Sequence, residues 1–215
     1  MTAPEALLAR PRLRGRLHQV AAIASIGGLV WLLADAHSPQ AVVAACVYGL
    51  AMIALYFTSS SYHLYARSPR ARQVMQRLDH SMIYVLIAGT YTPVCLLALE
   101  GSMRWVLLAI VWTGAIVGMV LTLFALDRFP KLSWALYLVI GWAALLAIPQ
   151  LLDRPGLLGL AIAGGALYTV GAILFALHRP GPVARWFGYH EYWHAFGIAA
   201  GVMFFAMNLG LIASA

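Results

Sequence analysis

The chain has 215 residues, of which 63% are hydrophobic and only 10% charged, with a mean hydropathy of +0.84. Soluble domains average about 45–50% apolar and about 25% charged. A single soluble domain of this size could not hide so much apolar surface, so a cytosolic enzyme is excluded. Disorder is excluded because its signature is low hydrophobicity with high charge, and a disulfide scaffold because the chain has two cysteines. What remains is a polytopic protein of the plasma (inner) membrane, one domain by length: a short basic segment over 1–17 and a transmembrane domain over 18–215. The formal charge of +7 invites a nucleic-acid partner, but the charges are placed for membrane orientation instead.

A crossing helix needs about 20 mostly apolar residues. Seven such stretches follow in chain order, at 18–36, 41–64, 79–99, 105–126, 132–151, 156–177 and 189–211. The runs are long and do not alternate, so helices rather than strands are expected, and in hydrocarbon only helices or closed barrels satisfy the backbone. The connections are short, which predicts a bundle of antiparallel neighbours. No small-residue cleavage site follows a short apolar core near the start, so the first helix is expected to stay as an uncleaved anchor. The first stretch carries Gly27-Gly28, the fourth Gly114 and Gly118, and the sixth Gly164-Gly165; all are small sites for close helix approach. Pro93 should kink the third stretch, with Thr90 and Thr92 nearby to satisfy the freed backbone. Cys46 and Cys95 lie in apolar runs and are expected to be free thiols that behave as small hydrophobes.

The basic residues then orient the bundle. With the N-terminus inside, the cytoplasmic segments hold Arg10, Arg12, Arg14, Arg16, Arg67, Arg70, Arg72, Arg77, Arg128, Lys131, Arg179 and Arg185, twelve in all, and the other side holds two, Arg104 and Arg154. That asymmetry predicts a cytoplasmic N-terminus and, with seven crossings, a C-terminus outside.

Ionisable groups inside spans are costly and are functional candidates by default. Here they are His18, His63, Asp79, His80, His190, Glu191 and His194. In the predicted topology all of them fall at cytoplasmic helix ends, so residues far apart in sequence share one layer of the bilayer. His190 and His194 are spaced i, i+4 and face one side of a helix, as two ligands of one metal do. Alone the pair is weak, because two hydrogen-bonded or hydrated helix-end histidines would look the same. His63 at the same depth makes three imidazoles, and three histidines with a fourth position open is the pattern of catalytic zinc. Ser59 precedes His63 by one turn and faces the same place.

Residues 190–194 also read H-E-x-x-H, the helical motif in which soluble metalloproteases use the Glu as base. No Asp or Glu follows Glu191 in the chain, so a downstream acidic third ligand is impossible. Glu191 also opens a helix, where the macrodipole favours an anion whatever the chemistry.

Three further strings are distinctive: Ser59-Ser60-Ser61-Tyr62-His63, Leu78-Asp79-His80-Ser81 running into Ile87-Ala88-Gly89-Thr90-Tyr91-Thr92-Pro93, and His190-Glu191-Tyr192-Trp193-His194. Together they resemble the hemolysin III family, which is grouped with the progestin and adipoQ receptors and more distantly with the alkaline ceramidases. The resemblance runs from about His18 to the last span. It implies a seven-helix bundle with Zn2+ near the cytoplasmic face, liganded by His63, His190 and His194. It also implies that Asp79 holds the water of that site and that Ser59 is the family's serine one turn before the first ligand; His18 matches a family histidine in the first span. One departure stands out: family members usually place a Glu and then an Asn just upstream of His18, where this chain has Pro11 to Arg16. In the receptor branch, position 191 is not Glu.

The function these readings predict is metal-assisted hydrolysis of a membrane lipid amide or ester, tied to membrane lipid homeostasis, with Asp79 and Ser59 as the catalytic side chains and substrate entering from lipid. The alternative is a non-enzymatic sensor or regulator in which the metal clamps the second and last spans. A pore-forming cytolysin ranks last, because a pore needs polar faces along whole helices and these spans are polar at one end only.

Overall fold

The computed structural model describes residues 13–125, 130–180 and 187–215. Arg10, Arg12, Arg128 and Arg185 lie outside the described residues. Among those described, the chain is helical without strands: α1 (Arg16–Ala34), α2 (Pro39–Tyr65), α3 (Pro69–Pro93), α4 (Gly101–Ala125), α5 (Pro130–Gly141), α6 (Ile148–Leu151), α7 (Pro155–Ala176) and α8 (Tyr189–Ala213). Among the described residues, six helical segments are long and apolar enough to cross a membrane, which makes this an all-α membrane protein.

Local chemistry explains the helix starts. Ser38 and Ser68 cap α2 and α3, accepting from the backbone N–H of Ala41 at 3.2 Å and of Ala71 at 3.1 Å. Each is followed by a proline in the first turn, where a missing N–H costs nothing. α3 therefore begins at Pro69, well before the apolar stretch that starts near Asp79. At Pro93 it does not stop but passes into a π-helical turn over Val94–Ala98. Around the proline, the Thr90 and Thr92 hydroxyls donate to the carbonyls of Leu86 (2.7 Å) and Ala88 (2.9 Å). The Asn208 amide donates to the Thr90 carbonyl at 3.3 Å. The two threonines thus bond back to carbonyls one turn before themselves and not to the Gly89 carbonyl that Pro93 leaves without its donor; the added partner beside the proline comes from α8.

The fifth stretch expected from hydropathy, 132–151, is not one helix. α5 gives way to a 3-10 segment over Trp142–Ala147 and then to α6. The cause is a side chain inserted into the helical ladder. The Tyr91 hydroxyl donates to the Gly141 carbonyl at 2.6 Å and accepts from the Ala144 N–H at 2.7 Å, which takes both groups away from regular pairing.

Sequence neighbours pack as antiparallel pairs: α1 on α2, α2 on α3, α3 on α4, and α7 on α8, with α1 closing back onto α8. Small residues allow the close crossings. A Cβ on Gly118 would stand 2.2 Å from the Tyr84 ring, and one on Gly89 would stand 2.6 Å from the Ala51 Cβ. Gly114 and Gly164 likewise sit against Ile140 and Phe204, whereas Gly27 faces open space. One apolar cluster runs through α3, α4, α5, α6 and α8 around Tyr84, Leu107 and Leu211; the other joins α1, α2, α3 and α8 around Leu32, Tyr48 and Leu55. Both cysteines are free, Cys95 buried and Cys46 partly so.

Candidate metal centre

The helix ends bring the ionisable residues to one place. α2 delivers Ser59 and His63 one turn apart, α3 delivers Asp79 and His80, and the first two turns of α8 deliver His190, Glu191 and His194. One nitrogen from each of His63, His190 and His194 lies within 4.8 Å of the others, close enough to hold a metal ion. Nε2 of His63 and Nε2 of His190 are 3.1 Å apart. Two ligands of a tetrahedral zinc, each at about 2.0–2.1 Å, stand about 3.3 Å apart, so that edge of the triangle is already near the needed length. Nε2 of His194 is buried and makes no hydrogen bond, as expected of a nitrogen whose partner is a metal. The donor set fits a divalent ion that accepts imidazole.

Around this triangle the remaining candidates separate by their contacts. Asp79 Oδ2 is 3.9 Å from His63 Nε2, too far for a hydrogen bond and suited to acting through a water. The buried Ser59 Oγ has no hydrogen bond of 3.5 Å or less, yet it lies near enough to Asp79 to interact with its carboxylate. His80 Nδ1 is 2.8 Å from the Gln76 carbonyl of its own helix, which gives that ring a local role.

Glu191 is accounted for by structure. Its Oε2 accepts from the Gly188 N–H at 2.9 Å, bonding back to the residue that caps α8, and its Oε1 accepts from Arg14 Nε at 2.8 Å. Both carboxylate oxygens are engaged, in the helix turn where the macrodipole favours an anion. The protease-like reading of H-E-x-x-H therefore has no general base to offer.

The start of α1 is a wall of the site that hydropathy and motifs do not reveal. Arg14 reaches Glu191. Gly15, at φ +82°, packs so tightly that an added Cβ would stand 2.7 Å from the His63 Cβ. His18 is buried against His194, with ring centroids 3.9 Å apart, and against Tyr56. The one sequence signal for this wall was His18 itself, an ionisable residue at the same depth.

The site opens into a cavity of about 210 Å³ lined by Ser59, Asp79, His190 and His194 at one end and then almost wholly by apolar side chains of α3, α5, α7 and α8. On α8 the lining runs from His190 to Met207, about 25 Å of axial rise at 1.5 Å per residue. α5 and α7 barely touch, and Trp142 Nε1 bridges the space between their segments by donating to Thr169 Oγ1 at 3.2 Å.

A family profile described as "Haemolysin-III related" matches residues 7–205, which include every residue of the site. Hemolysin-3 of Bacillus cereus is 41% identical over 193 residues, covering 87% of this chain and 85% of the relative. This chain belongs to the hemolysin III family. A hemolysin-3 homolog of Bacillus subtilis (strain 168) is 36% identical over 197 residues, covering 88% of this chain and 89% of that one. Like its hemolysin III relatives in extent, with its apolar helices, the chain is a multi-pass protein of the plasma membrane.

Proposed function

We propose that this hemolysin III protein is a zinc-dependent hydrolase of a membrane lipid amide or ester. In this reading His63, His190 and His194 hold the ion, and zinc is favoured among divalent metals by an all-imidazole set with one position open. The observation that carries the reading is the junction of a three-histidine cluster, a carboxylate 3.9 Å from one of its nitrogens, and a long apolar cavity opening from both. A regulator without chemistry has no need of that junction.

When bound, the metal supplies Lewis-acid polarisation of the carbonyl and of the attacking water. Asp79 takes the proton of that water as its oxygen attacks the carbonyl carbon. The Ser59 hydroxyl donates toward the oxygen on which negative charge develops. Asp79 then returns the proton to the leaving nitrogen or oxygen as the C–N or C–O bond breaks, giving a fatty acid and an amine or alcohol. The apolar cavity takes the acyl chain, and the gap between α5 and α7 admits it from lipid. The topology that belongs to this reading has seven crossings, the broken 130–151 segment counting as the fifth. The N-terminus is inside, by the twelve-to-two split of basic residues, and the site faces the cytoplasm.

A metal clamp for a lipid-state sensor is the second reading, favoured by one fact: the histidines tie α2 to α8 across the sequence. The relatives' name points to cytolysis, but the outward faces of the described helices are apolar, with Val20, Phe57, Phe124 and Val139 exposed, which suits lipid and not a pore.

Asp79→Asn separates the first two readings. It keeps size and one oxygen acceptor but removes charge and basicity. Saturated with zinc, the variant is expected to retain its metal and to lose turnover of lipid amides and esters by about 10–100-fold or more; Ser59→Ala is expected to show a milder loss. If zinc-loaded wild-type protein is as inert as Asp79→Asn on ceramides, other lipid amides and esters, the enzyme reading falls and the clamp remains.

A further inference from the structure

Two turns along from the histidine cluster, three helices meet again. On α2, Tyr56 precedes His63 by seven residues and shares its face. On α7, Tyr168 precedes by seven residues Phe175, whose ring meets that of His190 with centroids 5.3 Å apart. On α8, Gly201 follows His194 by seven. Tyr56 and Tyr168 both line the cavity, and they converge on α8 where it carries glycine. A Cβ on Gly201 would collide with the Tyr56 hydroxyl oxygen, and one on Gly197 would stand 3.9 Å from the Tyr168 ring.

Packing does not account for these two hydroxyls. Tyr56 is 5% exposed, and neither its hydroxyl nor that of Tyr168 makes a hydrogen bond among the described residues. A buried donor left unpaired is costly. Tyr91 and Tyr137, which line the same cavity, give their hydroxyls to the backbone carbonyls of Gly141 and His80. Phe204, stacked on Tyr168 at 29°, fills the same space with no hydroxyl to satisfy. Tyr56 and Tyr168 are within electrostatic reach of each other without bonding to each other, which suits one oxygen placed between them. A ligand hydroxyl fits such a pair best, because it accepts from one tyrosine and donates to the other.

The depth of the pair sets where that hydroxyl belongs. Seven residues of helix rise about 10 Å. An extended chain advances roughly 1.2 Å per bond, so a carbonyl held at the histidine cluster puts the two tyrosines roughly eight or nine bonds along its acyl chain. We propose that Tyr56 and Tyr168 form a second polar subsite of the cavity, which binds a hydroxyl carried near the tenth carbon of a fatty acyl chain. The proposal rests on the hydrolase reading for the place of the acyl carbonyl, and it names the acyl group that site prefers.

The test uses full-length, zinc-loaded protein in detergent and reads displacement of a fluorescent fatty acid by three probes: stearate, stearate hydroxylated at carbon ten, and stearate hydroxylated at carbon seventeen. All three carry the same carboxylate, so their differences report the chain. The carbon-ten acid is expected to bind about tenfold more tightly than the other two, the gain from two modest hydrogen bonds. Tyr56→Phe and Tyr168→Phe are each expected to cut that preference to about threefold and the double variant to abolish it, while an undiminished affinity for stearate shows the cavity intact. Equal binding of the three acids by wild type, the result if the hydroxyls are merely hydrated, overturns the proposal. So does a preference that persists in the double variant. Should the variants not fold, the wild-type comparison of carbon ten with carbon seventeen decides, since those acids differ only in where the hydroxyl sits. Failure of the hydrolase reading looks different: a preference for the carbon-ten acid with no hydrolysis of any lipid amide or ester removes the enzyme and leaves the subsite. Hydrolysis of plain acyl amides with no preference among the acids does the reverse. A protein that binds none of the acids overturns the subsite, and with it the acyl cavity of the hydrolase reading.

Discussion

The pair Arg14–Glu191 gives a prediction whose size can be worked out from its burial. Glu191 is 1% exposed and Arg14 22%, and they meet at 2.8 Å. Removing one partner of a buried pair costs about 3–5 kcal/mol, chiefly because the other charge is stranded. Arg14→Ala strands the more buried partner. The carboxylate keeps the Gly188 N–H and the helix N-terminus, the latter worth up to about 2 kcal/mol, so the cost should lie at the low end, about 3 kcal/mol. Glu191→Gln instead leaves Arg14 within reach of water and keeps an oxygen for Gly188. It loses one charge-assisted bond, about 1.5 kcal/mol at the low end of its range. At roughly 2–4 °C per kcal/mol for a chain of this length, thermal unfolding in detergent should fall by about 6–12 °C for Arg14→Ala and about 3–6 °C for Glu191→Gln. The double variant should match Glu191→Gln, because no buried charge is left. Additive losses, or an Arg14→Ala protein as stable as wild type, would refute the reasoning. A Glu191→Gln protein of wild-type stability that lost its turnover would return Glu191 to the chemistry.

Gly15→Ala should both destabilise the protein and lower metal content at limiting zinc. A left-handed alanine costs about 1–2 kcal/mol, and its Cβ would collide with the His63 Cβ, which is fixed to backbone and cannot swing away; thermal unfolding with metal analysis checks both effects. Tyr91→Phe leaves the Gly141 carbonyl and the Ala144 N–H without their partner, at about 1–3 kcal/mol for each group left unsatisfied. A variant with the wild-type unfolding midpoint would show that the break after α5 is set by Gly141 and Pro149 alone. For orientation, a reporter active only outside the cytoplasm should work when fused after Ala215 and be silent when inserted near Ser68; the reverse pattern would overturn the cytoplasmic placement of the site.

Hydropathy reads this fold well wherever a helix is uniformly apolar, because burial in lipid acts on every face. The positions of α1, α2, α7 and α8 follow from it within a few residues. It misses the start of α3, since residues 69–78 are polar and the signal there is the Ser68-Pro69 cap. It also misses the break after α5, which depends on Tyr91, a residue 50 positions away from Gly141. The site was legible where chemistry is concentrated in ionisable residues at one depth: His63, Asp79, His190 and His194 line up on helix ends. The role of Glu191 was not legible, because the motif it completes has the same letters whether the carboxylate is a base or a cap. Its partner shows the difference. Arg14 and Glu191, 177 positions apart, meet as one ion pair, a relation that appears only once α1 and α8 are packed.

The central claim is that the three-histidine cluster holds a metal which turns over a membrane lipid. The most direct measurement is release of fatty acid from a mixed lipid extract by purified full-length protein as isolated, after treatment with a strong chelator, and after zinc is returned, with His63→Ala alongside. The account predicts release by the untreated protein, loss with the chelator, recovery with zinc, and no release by His63→Ala under any condition. Release that survives complete removal of metal, or a zinc-loaded wild-type protein that releases nothing while His63→Ala binds metal equally well, would contradict it.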